Sequence, residues 1–103
     1  MDDEVNIRDN CGELMLEYIY SLRHTTSNDS LEAIEHSIKS DIKEMYHIVY
    51  GRAKAAGTIT NQDDMVEIEQ LSLCLKGEVI ACRERIANGT AFQYSINQSF
   101  LGL

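Results

Sequence analysis

The sequence predicts an all-α fold: a long antiparallel helical hairpin, packed by a shorter N-terminal helix into a three-helix bundle and followed by an apolar C-terminal tail. Three observations carry this expectation. Apolar residues recur at helical spacing from Cys11 to Ile86. A break at Gly57-Thr58-Ile59-Thr60 divides residues 30–87 into two arms of equal length. No proline occurs among the 103 residues, so nothing obliges a long helix to stop or kink. The length suits one domain, residues 1–103, which can bury a modest core without metals or disulfides. A composition of 44% apolar and 25% charged residues is that of a globular chain, not a disordered one.

The first helix is expected over 10–24. Cys11, Leu14, Met15, Tyr18, Ile19 and Leu22 share one face, and Asn10 with Glu13 three residues later suits a capping box. Residues 1–9 read as an acidic arm or as an extra helical turn. Arg23 and His24 suit a last turn, where cations meet the negative end of the helix dipole. Thr25 to Asn28 form a short polar loop.

The second helix is expected over 29–56, with Asp29 as its cap and Glu32 at the reciprocal position. Leu31, Ile34, Ile38, Ile42, Met45, Val49, Ala53 and Ala56 advance close to the 3.6-residue period and so form one core-facing stripe. Gly57 suits the left-handed position after a helix, where a Cβ is penalised.

The third helix is expected over 61–87, opened by Thr60 or Asn61 and favoured at its start by Asp63 and Asp64. Its main stripe is Met65, Ile68, Leu71, Leu75, Val79, Cys82 and Ile86, and Asn88-Gly89 closes it. At ~1.5 Å per residue each arm of the hairpin is about 40 Å long, so the two can pair along their length. Residues 88–103 carry no charged side chain but hold Phe92, Tyr94, Ile96, Phe100, Leu101 and Leu103. Such a tail is expected to dock, on its own hairpin or on another chain. Its apolar spacing fits a strand and a helix equally.

Two features point to interaction surfaces. Val66, Leu73, Ile80 and Ala87 recur at intervals of seven on the side of the third helix away from its main stripe, with Gly77 on the same face. Either the first helix or the tail covers this strip, or it is a homodimer seam or partner groove, with Phe92, Tyr94, Phe100 and Leu101 of the tail as further contacts. The second feature is charge. Residues 1–24 carry six acids and two bases, residues 29–56 five and four, and residues 60–87 six and three. The net charge of −8 therefore comes mainly from the first and third helices, where Glu13, Glu17, Glu67 and Glu69 are the expected acidic surface. On the second helix His36, Lys39, Lys43, His47, Tyr50 and Lys54 share an outward basic arc.

The templates for chemistry are sparse. Glu44-Met-Tyr-His47 matches the Glu-x-x-His element of helical di-iron proteins, but it occurs once and faces outward. There is no Gly-rich phosphate loop, no Cys-x-x-Cys and no His-Glu-x-x-His. Cys11 and Cys82 fall on core stripes, and Cys74 lies roughly 12 Å from Cys82 along a helix, beyond the ~7 Å reach of a disulfide. The odd cysteine count and the lack of a secretory segment point to a reducing, cytoplasmic setting. On that reading Asn88-Gly-Thr and Asn97-Gln-Ser are chance glycosylation matches. No apolar run is long enough to span a membrane.

The function expected from these residues is a small acidic, non-enzymatic binding protein, without cofactor or metal. It would inhibit, recruit or regulate a macromolecular partner with a basic surface, in one form by imitating nucleic acid. The alternatives are a nucleic-acid-associated regulator that uses the basic arc, which the overall charge disfavours, and a helical-bundle enzyme with an acidic internal site.

Overall fold

A computed structural model describes residues 5–89, and these form three packed α-helices: α1 (Ile7–Arg23), α2 (Asn28–Ala56) and α3 (Gln62–Ala87). The molecule is elongated, 51 × 27 × 21 Å, because the 29 residues of α2 alone run about 43 Å at the helical rise. Residues 90–103 and the expected docking of the tail lie outside the described residues, as do residues 1–4.

The start of α1 differs from the expected residue 10. Asn6, in an extended conformation, accepts the Asp9 N–H on its side-chain oxygen at 3.0 Å, and the Asn10 N–H donates to the Asn6 carbonyl at 2.9 Å. The cap is therefore Asn6, and Asn10 with Glu13 forms no capping box. Residues 7–9 are an extra helical turn. The physical reason is Ile7, which stands four residues before Cys11, extends the same stripe and is buried.

The start of α2 is shifted in the same sense. Ser27, not Asp29, supplies the cap, its Oγ accepting the Ser30 N–H at 3.2 Å from an extended backbone. Asp29 then lies in the first helical turn, where its charge meets the positive end of the dipole, and Glu32 is exposed. The connection before it is held by Thr25, a buried residue whose hydroxyl donates to the Ser21 carbonyl at 2.6 Å.

At the hairpin, Gly57 adopts φ 69°, and the N–H groups of Gly57 and Thr58 donate to Lys54 and Ala53 carbonyls. A Cβ is disfavoured in this region, which is why glycine ends the helix. Asn61 caps α3 by accepting the Asp64 N–H at 3.1 Å, with Asp63 and Asp64 in the first turn. Asn88 and Gly89, the latter at φ 71°, close it.

The core is one cluster in which Leu31, Ile38, Met45 and Val49 of α2 meet Ile68, Leu71, Leu75, Val79 and Cys82 of α3, with Ile7, Cys11 and Leu22 of α1 laid against them. Ala56, the last member of the α2 stripe, is exposed. The shorter helix leans on α3 more than on α2. Arg23 donates to both Glu78 carboxylate oxygens, at 3.0 and 3.4 Å, and Arg85 donates to the Leu22 carbonyl. Towards α2, the Tyr18 hydroxyl donates to Asp41 and the Arg52 guanidinium to the Val5 carbonyl.

Candidate interaction surfaces

The position of α1 decides which part of α3 stays open. Glu78 and Arg85 mark the side of α3 that meets α1, and Ile80, two residues beyond Glu78, turns by ~200° to the other side. Val66, Leu73 and Ile80 are accordingly 44%, 67% and 45% exposed, and Ala87 and Gly77 are exposed with them. Helix 1 does not cover this strip, and coverage by the tail lies outside the described residues. A Cβ added at Gly77 would meet nothing within 4 Å, so the backbone there is open to close approach.

A groove runs between α2 and α3 on the side away from α1. It consists of two adjoining depressions of about 480 and 450 Å³ that share Lys39, Ile42 and Ser72. Its floor is apolar, formed by Ile38, Ile42, Tyr46, Leu75 and Val79, while Ile80 on its wall joins it to the open face of α3. Its rim is basic, with Lys39, Lys43, His47, Lys76 and Arg83. The Tyr46 and Tyr50 rings stack at 6.1 Å beside it. Arg83 and Lys39 both pair with Glu35, at 2.9 and 3.8 Å, which ties α3 to α2 at one end. The Tyr46 hydroxyl is held above its ordinary pKa, first by burial and then by the charge of Glu69.

The basic arc is thus divided. Lys39, Lys43, His47 and Tyr50 edge the groove, whereas His36 and Lys54 are exposed away from it. Sequence reasoning missed the share of α3 in this rim. Ser72, Lys76 and Arg83 lie at spacings of four and seven beside the second stripe, a usable signal once it is known which flank of α3 faces α2.

The acidic residues divide as well. Glu13 and Glu17 are exposed on α1, and Asp9 extends them into a ladder at intervals of four. Leu16 and Tyr20 stand exposed among them at 73% and 67%, an apolar pair that sequence analysis left unassigned. Its signal was present, since both fall off the Cys11 stripe. On α3, Glu67 and Glu69 point apart. Glu67 is half-buried on the α1 side, close enough to Cys11 to act on its thiol, while Glu69 is exposed on the groove side near Tyr46.

Burial pushes the Cys11 thiol up to about 11, with the charges of Glu67 and Asp64 adding to it, and burial raises Cys82 against the opposing pull of Arg85 and Arg83. Both thiols therefore stay protonated at neutral pH and act as donors, Cys11 to the Met45 sulfur at 3.7 Å and Cys82 to the Thr25 carbonyl at 3.9 Å. Glu44 and His47 are both exposed, and among the described residues no group of three or more His, Cys, Asp or Glu is placed to hold a metal ion. No described helix is long and apolar enough to cross a membrane. No protein-family model matches the chain, and neither the curated proteins nor the solved structures searched contain a match to it.

Proposed function

We propose that this chain is a small acidic, non-enzymatic binding protein that acts as a homodimer and regulates a macromolecular partner, as an inhibitor or adaptor, by occupying its surface. The observation that carries the reading is the open apolar face of α3 at Val66, Leu73 and Ile80, which runs into a groove with an apolar floor. An apolar surface of this extent left in water marks an interaction site. The acidic ladder of α1 supports a partner with a basic surface. Its carboxylates would steer the approach, and Leu16 and Tyr20 between them would anchor the contact. Where that basic surface normally binds nucleic acid, the ladder would stand in for phosphate charge.

The test begins with capture of the partner from the native host and then compares rates for the identified pair. Glu13→Lys together with Glu17→Lys is expected to slow association about tenfold at low salt, with the difference closing as salt rises. Leu16→Ala is expected to speed dissociation instead. Exposed changes of this kind alter stability by less than about 0.5 kcal/mol, so circular dichroism should be unchanged. Association rates identical to wild type at every salt concentration would refute the electrostatic part.

A second reading has one observation in its favour: Lys39, Lys43 and His47 surround the stacked Tyr46 and Tyr50, a pairing of cations and rings that suits single-stranded nucleic acid. The chain's net charge of −8 opposes it. Salt-sensitive binding of an oligonucleotide that is lost on Lys39→Ala with Lys43→Ala would transfer the assignment to this surface.

A further inference from the structure

We infer that the groove between α2 and α3 seats an acidic amphipathic helix of a partner protein, laid along the hairpin on the side opposite α1. The inference goes beyond the contact proposed for α1 and does not depend on it. Charge complementarity carries it. Lys39, Lys43, Lys76 and Arg83 line the groove against one carboxylate, Glu35, in a chain whose net charge is −8. Glu35 is already engaged with Lys39 and Arg83, and among the described residues neither Lys43 nor Lys76 has an ion pair. The other nearby carboxylates stand towards the ends, Glu69 near Tyr46 and Glu32 a turn beyond Glu35. The middle of the groove is thus positive on both walls.

The floor selects an apolar stripe. Ile42 and Tyr46 are half-buried there beside the buried Ile38, Leu75 and Val79, and Ile80 stands 45% exposed on the α3 wall. From Glu35 to Tyr50 the α2 wall rises about 22 Å, the length of a helix of roughly 15 residues. The hairpin already takes one helix in this way, since α1 packs on its opposite side with Ile7, Cys11 and Leu22 in the common core. On the rim Lys39, Lys43 and His47 recur every four residues, about 6 Å apart, so carboxylates at the same interval along one flank of the guest meet them. Lys76 faces the other flank. Such rim charges steer the approach, while the floor sets how long the guest stays.

Other occupants fit less well. An oligonucleotide brings charge along its whole length against the chain's −8, whereas an amphipathic helix confines its charge to the flanks of an apolar stripe. Residues 88–103 carry no charged side chain and would leave both walls unanswered. The α1 helix of a second copy is acidic, but α1 and the groove lie on opposite sides of the hairpin, so that contact would pass from copy to copy without closing.

The experiment measures fluorescence anisotropy of three labelled helical peptides, each about 16 residues long, mixed with the full chain. Two share one leucine stripe, flanked by Glu in the first and by Lys in the second, and the third has the composition of the first with the stripe scrambled. Only the first is expected to bind, and less tightly as salt rises. Lys39→Glu with Lys43→Glu should weaken it about tenfold, and Lys76→Glu should act in the same direction. Lys54→Glu, exposed and away from the groove, should change nothing, and circular dichroism should match wild type throughout. Failure of the first peptide to bind, equal binding of the scrambled or Lys peptide, or indifference to the Lys39 and Lys43 exchange overturns the inference. A thymidine oligonucleotide that binds more tightly than the first peptide, and is lost on the same exchange, overturns it in favour of nucleic acid. Self-association of the chain in light scattering that this exchange abolishes overturns it in favour of a second copy. In each case the contact proposed for α1 keeps its own test through Glu13 and Glu17.

Discussion

Cys11 shows how far one buried residue can depart from its behaviour in water. Packed beneath Met45 and close to Glu67 and Asp64, its thiol is held at about 11 against the ordinary 9.0. A thiol raised in the folded state keeps its proton where the unfolded chain has already lost it. Its contribution to stability is therefore complete below pH 9.0 and is lost as the pH rises through about 11. Cys82 adds in the same direction, and the Tyr18 hydroxyl, raised by burial and by Asp41, extends the decline to higher pH. Denaturant midpoints are expected to be flat from pH 7 to 8.5 and to fall steadily above pH 9. A midpoint that rises over that interval would show that these thiols are not shielded. Within the same protein at pH 8, maleimide should label the half-buried Cys74 first, with Cys11 and Cys82 labelled only on unfolding.

At the level of elements, each helix start is set by an oxygen that meets an N–H three residues on, and several residues near each start carry such an oxygen. Asn6 and Asn10 compete for the first helix, and Ser27 and Asp29 for the second. The earlier residue wins in both cases, because starting sooner brings Ile7 into the core on α1 and seats Leu31 a full turn inside α2. Asn6→Ala is accordingly expected to cost about 1 kcal/mol in urea denaturation, the usual worth of a cap. Asn10→Ala should change the midpoint little, since alanine is the better helix former inside a helix. A larger loss at Asn10 than at Asn6 would place the true start where the sequence pattern alone puts it. Ile7 makes the shift worthwhile: its burial extends the contact of α1 by one turn along the stripe that runs through Cys11.

Over the whole molecule, charge and shape work against each other. A slender bundle carrying a net −8 keeps its acids near one another, notably along α1, and among the described residues Arg23 pairs with Glu78 and Arg83 with Glu35 across helices. Self-repulsion of this kind lowers the stability of the compact state and is screened within about 10 Å at 0.1 M salt. The melting temperature is thus expected to rise by a few degrees from 10 mM to 0.5 M potassium chloride, about 4–8 °C for each kcal/mol recovered in a chain of this size. A fall over that range would mean that the ion pairs of Arg23 with Glu78 and Arg83 with Glu35 outweigh the repulsion. The same asymmetry divides the surface into roles. One side of the hairpin carries α1 and its carboxylates, and the other carries a basic-rimmed apolar groove.

The three helices, the residues of their main stripes and the turn at Gly57 were legible in the sequence, because apolar periodicity and a left-handed glycine are local properties that each segment carries by itself. The second stripe of α3 was legible too, as a strip without an owner. Whether α1 covered it depended on which flank α1 chose, and that choice is made by pairings between residues far apart in the chain, Arg23 with Glu78 and Arg85 with the Leu22 carbonyl. Glu67 and Glu69 look alike on paper, yet the docking of α1 brings Cys11 within reach of the charge of one and leaves the other to act on Tyr46. The groove belongs wholly to this level. Lys39 and Lys43 on one helix and Lys76 and Arg83 on another become a single rim only when two helices pack with a third on one side alone. Periodicity within a segment names the faces a helix can offer; only packing between segments determines which of them remains open to water.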